Sequence, residues 1–338
     1  MSEKMSEKIE KPINAALIDN LYKNGLIDEQ TRRAGHTFIE GPLNGPRQWL
    51  VWTERLTLTL ATSLILASVM FFIAYNWYEM SKWFKFILVE AAILISLITA
   101  LTPFKSKIIN QTAALAASFF TGVLLALIGQ TYQTGADAWQ LFAVWSLLIL
   151  PWVTLSQFAP HWALWLIVTN IALSLWMQQT INLPNPSEPL IAAALAMLNG
   201  AALTTLVLTR SKITWLQNPW ILRLLSLAVI YLLAEISIEY ISQYRNRPLW
   251  FTGLWGLTMI TQATLFYLSR FKWKDFIIHA LLVISLAIQA EVLIIKAITT
   301  ARFDTASFII AAIVTISLFA LLVTYLRTQY QTMETTDA

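Results

Sequence analysis

The sequence predicts an all-α protein: a polytopic membrane bundle of about ten transmembrane helices, preceded by a short helical hairpin on the cytoplasmic side. Of its 338 residues, 57% are hydrophobic and only 12% are charged, and the mean hydropathy is +0.61. Soluble domains carry about 25% charged residues. The apolar residues lie in long runs, and a helix needs about 20 such residues to cross a bilayer. We therefore expect lipid to be the main solvent, which excludes a soluble, fibrous or disordered protein.

Ten apolar runs make up the predicted transmembrane domain, residues 56–326, and residues 327–338 form a predicted cytoplasmic tail. The runs cover residues 56–75, 84–101, 112–129, 141–158, 162–177, 189–209, 221–241, 249–269, 276–299 and 305–326. The fourth and fifth runs are short, and only Ala159, Pro160 and His161 separate them. An eight-span arrangement with a re-entrant fourth and fifth pair is therefore the alternative.

The distribution of Lys and Arg predicts the orientation, because these residues concentrate in cytoplasmic loops. With the N-terminus inside, the inner segments hold 17 of the 23 Lys and Arg residues, which leaves six outside. This asymmetry predicts a multi-pass protein of a bacterial inner membrane with both termini in the cytoplasm. It also accounts for the net charge of +4 without nucleic-acid binding.

Residues 1–55 form the predicted cytoplasmic hairpin. They carry eight basic and eight acidic side chains, whereas an arm that binds anionic lipid is one-sidedly basic. Pro12 can begin a helix, Gly25 can end it, and Asp28 can cap a second one. The polar start lacks the pattern of a cleaved signal peptide, so we expect it to be retained. The hairpin is either a topological anchor or a contact surface for a partner.

Three glutamates fall deep inside predicted spans, namely Glu90, Glu235 and Glu291, whereas Glu239 lies near the end of the seventh span. A charge near the bilayer centre costs about 2.5–3.5 kcal/mol on insertion scales, so such residues are candidates for function. They could alternate between protonated and charged states along a proton path. The alternative is that they hydrogen-bond between helices or reach the headgroups from near a helix end.

The predicted outer connection after the third span, residues 129–140, is a second candidate site. Its polar residues include Gln130, Tyr132 and Asp137, and Gly135 permits a tight turn. Irregular backbone at membrane depth is tolerated where it lines a cavity. The segment therefore either dips inward or forms a plain periplasmic turn.

Signatures of catalysis and of cofactor binding are missing from the sequence. There is no cysteine, and the three histidines lie far apart, so neither a thiolate nor a histidine-rich metal site is expected. The chain has no GxSxG, HExxH or GxxxxGK[ST] run. Every Asp falls in a predicted terminus or loop, which excludes paired-aspartate intramembrane proteolysis. We expect no enzyme, metal or cofactor.

Two segments resemble a known family. They are residues 17–33, LIDNLYKNGLIDEQTRR, and residues 127–151, LIGQTYQTGADAWQLFAVWSLLILP. Both are similar to the bacterial "predicted membrane protein" family, domain of unknown function 2157, whose members have a GL-I-type turn near the N-terminus and an AQ-x-Y-like segment after the third span. In this sequence the positions of the AQ-x-Y-like segment and its loop are occupied by Gln130, Tyr132, Gly135, Asp137 and Leu141. Gly129 stands where members of the family often have Ala. The match covers residues 12–155, and later spans match only in hydropathy.

The resemblance implies a partner without defining an activity. Members of the family often occur beside, or fused to, another uncharacterised membrane segment and a protein with a GDYxxLxY motif. This chain contains no GDYxxLxY run, so such a component would be a separate chain. Apart from the lipid bilayer, the implied partner is therefore another membrane protein.

Two functional hypotheses follow. The first is a non-catalytic subunit or scaffold of an envelope membrane complex, which the resemblance and the hairpin favour. The second is a proton-coupled secondary transporter of a small molecule that uses the intramembrane glutamates, because ten spans allow two inverted halves. Residues 56–177 and 189–326 share no similarity beyond hydropathy. A membrane-embedded enzyme is a distant third.

Overall fold

The computed structural model describes most of the chain from residue 75 onwards. The described ranges are residues 75–102, 107–133, 135–184, 187–217, 219–243, 248–301 and 305–336, preceded by residues 18–19, 21–22, 25–32, 35, 50, 53, 57, 60, 64, 68 and 71. Contacts divide the chain into two units, residues 1–81 and 82–338.

A helix-stopping turn at Gly25 is the main described feature of the first unit. Gly25 has a φ of +68° and its N–H donates to the Tyr22 carbonyl oxygen over 2.9 Å. The Asp28 carboxylate then accepts a hydrogen bond from the Thr31 N–H over 2.8 Å, which caps a second helical turn. The stop at Gly25 and the cap at Asp28 agree with the prediction, whereas the predicted start at Pro12 lies outside the described residues.

Nine α-helices follow in the described part of the second unit, and no strand occurs there. They are α1 Lys82–Leu101, α2 Lys107–Tyr132, α3 Ala138–Ser156, α4 Ala159–Thr180, α5 Glu188–Thr209, α6 Pro219–Ser242, α7 Leu249–Tyr267, α8 Phe276–Ala301 and α9 Thr305–Thr336. The 3₁₀ turn Thr214–Leu216 precedes α6, and the π-helical segment Leu268–Lys272 extends α7. The predicted all-α class is confirmed. Nine predicted spans correspond to these helices, and the first, residues 56–75, lies largely outside the described residues.

Seven of these helices are long and apolar enough to cross a membrane, all except α4 and α7. Both exceptions carry buried polar side chains, such as His161 in α4 and Gln262 in α7, which lower their hydropathy. They are nevertheless 22 and 19 residues long. At 1.5 Å per residue, α3 is about 28 Å long and α4 about 33 Å. This geometry favours two full-length helices over the re-entrant alternative.

Helix α6 forms the centre of the second half. It packs against α5, α7 and α8, and its buried residues Leu225 and Val229 belong to one apolar cluster with Leu265 of α7 and Leu282 of α8. The peripheral helices differ sharply. In α1 the only buried residue is Val89, and none is buried between residues 308 and 332 of α9. The apolar surfaces of the outer helices therefore face outwards, as expected for a bundle surrounded by lipid.

Candidate functional site

Glu90 lies on the outward surface of α1. Its side chain is exposed, although the preceding residue Val89 is buried. Eight residues separate Glu90 from the start of the helix, which corresponds to about 12 Å. The carboxyl group therefore lies well inside the span and points away from the bundle.

Glu235 lies on an exposed stripe of the otherwise well-buried helix α6. The stripe consists of Leu224, Leu227, Tyr231 and Glu235, spaced three, four and four residues apart, so they share one helix face. Tyr231 is 64% exposed. Seven residues, or about 10 Å, separate Glu235 from the end of the helix. We call these four residues the α6 stripe.

The electrostatic surroundings of Glu235 are acidic. Glu188, which begins α5, and Glu239, one turn further along α6, both act on Glu235 through their charge. The Glu239 Oε1 atom accepts a hydrogen bond from the Gln243 Nε2 atom over 2.8 Å. Three carboxyl groups thus lie around the last two turns of α6, and the Lys296 ammonium group of α8 donates to the carbonyl oxygen of Ser242, the final residue of α6, over 2.9 Å.

Glu291 faces a neighbouring helix. It is half-buried, and its Oε1 atom accepts a hydrogen bond of 2.8 Å from the Thr315 hydroxyl of α9. This is the interhelical bond that the sequence analysis raised as one alternative. The three glutamates lie on α1, α6 and α8 and face different surroundings, so they do not form one site.

The connection between α2 and α3 is shorter than the sequence suggests. Helix α2 continues through Tyr132, so Gln130 and Tyr132 lie on its last turn, both exposed. The Tyr132 ring centroid is 6.1 Å from that of Phe86 in α1. Gly135 has a φ of +66°, and Asp137 occupies the N-cap position of α3 with an exposed side chain that makes no capping hydrogen bond. This geometry resembles the plain turn more than the inward-dipping loop.

A buried histidine joins α2, α3 and α4, and the sequence analysis did not single it out. His161 is fully buried; its Nε2 atom lies 2.7 Å from the Ser118 hydroxyl and its Nδ1 atom 3.1 Å from the Ser156 hydroxyl. The Ser156 hydroxyl donates to the Val153 carbonyl oxygen, so its oxygen must accept from His161 Nδ1–H. Both partners are uncharged hydroxyl groups, so burial favours the neutral imidazole, whose Nε2 then accepts from Ser118.

Trp145 of α3 packs beside His161, Ser118 and Ser156, which we call the His161 cluster, through a contact with Ser118. Its indole N–H donates to the Ser118 carbonyl oxygen over 2.8 Å. Its ring covers Gly122, one turn after Ser118, so closely that a Cβ atom there would lie 2.3 Å from a ring carbon. Small residues one turn apart allow such close approach between membrane helices. Ser118 and Gly122 are therefore the positions on α2 that bring α3 into contact.

The second half repeats the arrangement around His279 of α8. This residue is also fully buried; its Nδ1 atom lies 3.1 Å from the Ser269 hydroxyl and its Nε2 atom 3.1 Å from the Tyr325 hydroxyl of α9. Ser269 donates to the Phe266 carbonyl oxygen, so by the same reasoning Nδ1 carries the proton and Nε2 accepts from Tyr325. Each histidine thus joins a serine near the end of the preceding helix to a hydroxyl of a third helix. A histidine beside or within an apolar run, as His161 and His279 are, is the signal that could have found both.

Two further polar contacts join α3, α4 and α5. The side-chain amides of Asn170 and Asn199 pair reciprocally, with the shorter bond, 2.6 Å, donated by Asn199. The hydroxyl groups of Ser146 and Thr169 lie 2.9 Å apart. Each contact holds polar groups away from lipid and adds modest net stability between helices. Within the described residues, no three His, Cys, Asp or Glu side chains are grouped so that they could hold a metal ion.

Residues 19–162 match a family model described as predicted membrane protein, domain of unknown function 2157. This membrane protein is thus similar to that family over residues 19–162. The resemblance seen in the sequence is confirmed over α1, α2, α3 and the start of α4, and the matched segment of the membrane protein contains the His161 cluster. No curated protein and no solved structure matches the chain.

Proposed function

We propose that this membrane protein is a non-catalytic subunit or scaffold of an envelope complex in a bacterial inner membrane, with both termini in the cytoplasm. The observation that supports it is the exposed position of Glu235 on the apolar α6 stripe, about 10 Å from the helix end. A carboxylate there either faces lipid or meets a group from another chain. Because a charge in lipid is unfavourable by a few kcal/mol, contact with another chain is the more stable arrangement.

The charge around Glu235 indicates the chemistry of the partner. Glu188 and Glu239 add to the negative charge at this end of α6, so a basic side chain at the same depth would be attracted to it. We therefore propose a partner helix that packs along the α6 stripe and carries a Lys or Arg at the membrane depth of Glu235. The family resemblance, which implies a separate chain with a GDYxxLxY motif, supports the same class of function.

Proton-coupled transport is the second candidate, and Glu291 favours it. Its half-buried carboxyl group, held by Thr315 between α8 and α9, could gain and lose a proton as these helices separate. The other two glutamates face outwards on different helices, so a path through all three is not supported.

A charge-reversal experiment tests the subunit proposal. The photo-crosslinker p-benzoylphenylalanine replaces Tyr231 of the α6 stripe in the tagged protein. As a matched control it replaces Tyr267, which is similarly exposed on α7. The protein is then extracted from its native membrane in mild detergent. We expect one second protein to crosslink at position 231 and not at 267. Glu235→Lys should reduce the crosslink at least fivefold, whereas Glu90→Lys should leave it unchanged.

Restoration of the pair makes the test specific. Where the crosslinked partner carries a Lys or Arg opposite Glu235, that residue is replaced by Glu. This partner variant should crosslink to the Glu235→Lys protein as strongly as the two wild-type proteins crosslink. A wild-type protein that stays monomeric, with no crosslink at position 231, contradicts the proposal. So does a crosslink that is equally strong in wild type and Glu235→Lys.

A further inference from the structure

Gln262 of α7 is a buried amide without a partner in the protein. Its side chain is 1% exposed, and neither its Nε2 nor its Oε1 atom has a hydrogen-bond partner among the described residues. Ser226 of α6 is fully buried, and its hydroxyl group is likewise unpartnered within that part of the chain. Buried side-chain polar groups in proteins are in the large majority hydrogen-bonded, so two such side chains in one packed region require an explanation.

The packing places Ser226 and Gln262 at a similar level of the bundle. Leu225 and Val229 of α6 pack in one cluster with Leu265 of α7 and Leu282 of α8. Ser226 directly follows Leu225, and Gln262 precedes Leu265 by three residues, which is less than one helical turn. The three helices α6, α7 and α8 also pack against one another pairwise. The apolar neighbours of both unpartnered groups therefore belong to one cluster, and we call the place where these three helices meet the α6–α7–α8 junction.

Other buried polar side chains on these helices do have partners. The Thr258 hydroxyl, one turn before Gln262, donates to the Leu254 carbonyl oxygen over 3.0 Å. The Gln289 Nε2 atom of α8 donates to the Ser285 hydroxyl over 3.2 Å. Within the described residues the shortage of partners is therefore not general along α7 and α8, although the buried indole N–H of Trp255 in α7 shares it with Gln262 and Ser226.

We propose that the α6–α7–α8 junction is a binding site for an internal water molecule held by Gln262 and Ser226. The Gln262 amide offers both a donor and an acceptor, and the Ser226 hydroxyl offers a third group, which matches the two to four hydrogen bonds of a buried water. The occupant is neutral, because a buried ion without a charged partner is strongly unfavourable. It is small, because the neighbouring residues Leu225, Val229 and Leu265 belong to one packed apolar cluster.

Radiolytic labelling in ¹⁸O-water tests this site directly. Brief X-ray pulses convert water beside a side chain into hydroxyl radical, and mass spectrometry then finds the label on that side chain. In the full-length protein in lipid nanodiscs, we expect Leu265 to be labelled although it is only 6% exposed. Gln262→Leu should lower the labelling of Leu265 at least threefold, and the matched control Thr258→Val should leave it unchanged.

The change in Tm of Gln262→Leu is a second readout. Its sign distinguishes an amide that binds water from an amide that is buried without any partner. When water satisfies the amide, Gln262→Leu removes favourable hydrogen bonds and lowers Tm. When the amide is unsatisfied, the same substitution removes an unfavourable burial and raises Tm. A wild-type protein without label on Leu265, or with label that persists in Gln262→Leu, overturns the proposal, and so does a raised Tm in Gln262→Leu. None of these outcomes depends on a partner subunit.

Discussion

The Nε2 atom of His161 lies 2.7 Å from the hydroxyl oxygen of Ser118, a residue 43 positions earlier in the chain. The bond joins the third residue of α4 to the buried face of α2, and Ser156 at the end of α3 holds the other ring nitrogen. One imidazole therefore fixes the relative positions of three helices inside the segment that matches the family. Because the ring is fully buried and both of its partners are uncharged hydroxyl groups, its neutral form is the one that this site favours.

Removal of the Ser118 hydroxyl should destabilise the bundle. In Ser118→Ala the Nε2 atom of His161 loses its donor while it stays buried, which costs about 1–3 kcal/mol. We expect a Tm lower by several degrees in detergent. Ser317→Ala is a matched control, because that serine is exposed and bonded to its own helix. An unchanged Tm in Ser118→Ala would show that the histidine does not depend on this contact.

The tautomer of both histidines is a separate expectation. The network assigns the proton to Nδ1 in His161 and in His279, because each neighbouring serine donates its own proton to a carbonyl oxygen. ¹⁵N NMR of labelled imidazoles distinguishes a protonated from an unprotonated ring nitrogen. We expect both residues to be neutral Nδ1–H tautomers at neutral pH, and Tyr325→Phe to alter the His279 Nε2 signal alone. Two imidazolium spectra would contradict the assignment.

Gly122→Ala should be disruptive, because the added methyl group would meet the Trp145 ring at 2.3 Å. Overpacking of this kind costs about 1–3 kcal/mol. Gly200 of α5 is the matched control, since nothing lies within 4 Å of its Cβ position. Exchange of a helical glycine for alanine there should stabilise by about 0.5–1 kcal/mol. Opposite Tm shifts in Gly122→Ala and Gly200→Ala would verify the close approach of α2 and α3, whereas equal shifts would argue against it.

Asp275 should stabilise the protein through two interactions at the start of α8. Its carboxylate accepts hydrogen bonds from the N–H groups of Ile277 and Ile278, at 3.0 and 3.2 Å, and pairs with Arg223 of α6 over 3.0 Å. Asp275→Asn keeps an oxygen for the cap but removes the charge, while Asp275→Ala removes both. We expect Tm to fall in the order wild type, Asn, Ala, with about 0.5–2 kcal/mol for the cap. An Asn variant as unstable as the Ala variant would assign the effect to the ion pair alone.

The Asp28 cap in the N-terminal unit should depend on pH. Hydrogen bonds from Thr31 hold the pKa of the Asp28 carboxyl below its ordinary value. A lowered pKa means that the cap stabilises the turn above the ordinary carboxyl pKa and that this contribution disappears as the pH falls through the lowered value. The protection factor of the Thr31 amide, which is its intrinsic hydrogen-exchange rate at each pH divided by its observed rate in the full chain, should therefore fall on acidification. Asp28→Asn should remove this dependence, and an unchanged profile in that variant would assign it to another group.

The positions of most helices could be predicted from hydropathy to within a few residues, as for residues 189–209 and the observed Glu188–Thr209, whereas α9 continues to Thr336, ten residues beyond its predicted end. Hydropathy succeeds because each span must be apolar over its whole length and must satisfy its own backbone hydrogen bonds. The stop at Gly25 was equally local, since a positive φ is intrinsic to glycine.

Which face of each helix points inwards could not be predicted in the same way. In a membrane, the residues that face lipid and those that face protein are both apolar, so period and composition do not distinguish Tyr231 and Glu235 on the α6 stripe from the buried Leu225 and Val229. For the same reason the sequence groups Glu90, Glu235 and Glu291 only by their depth in the spans, although they face different surroundings. The amino-acid composition alone indicates a membrane protein. The surroundings of His161, His279 and Gln262 depend instead on residues that are far apart in the sequence and that helix packing brings together.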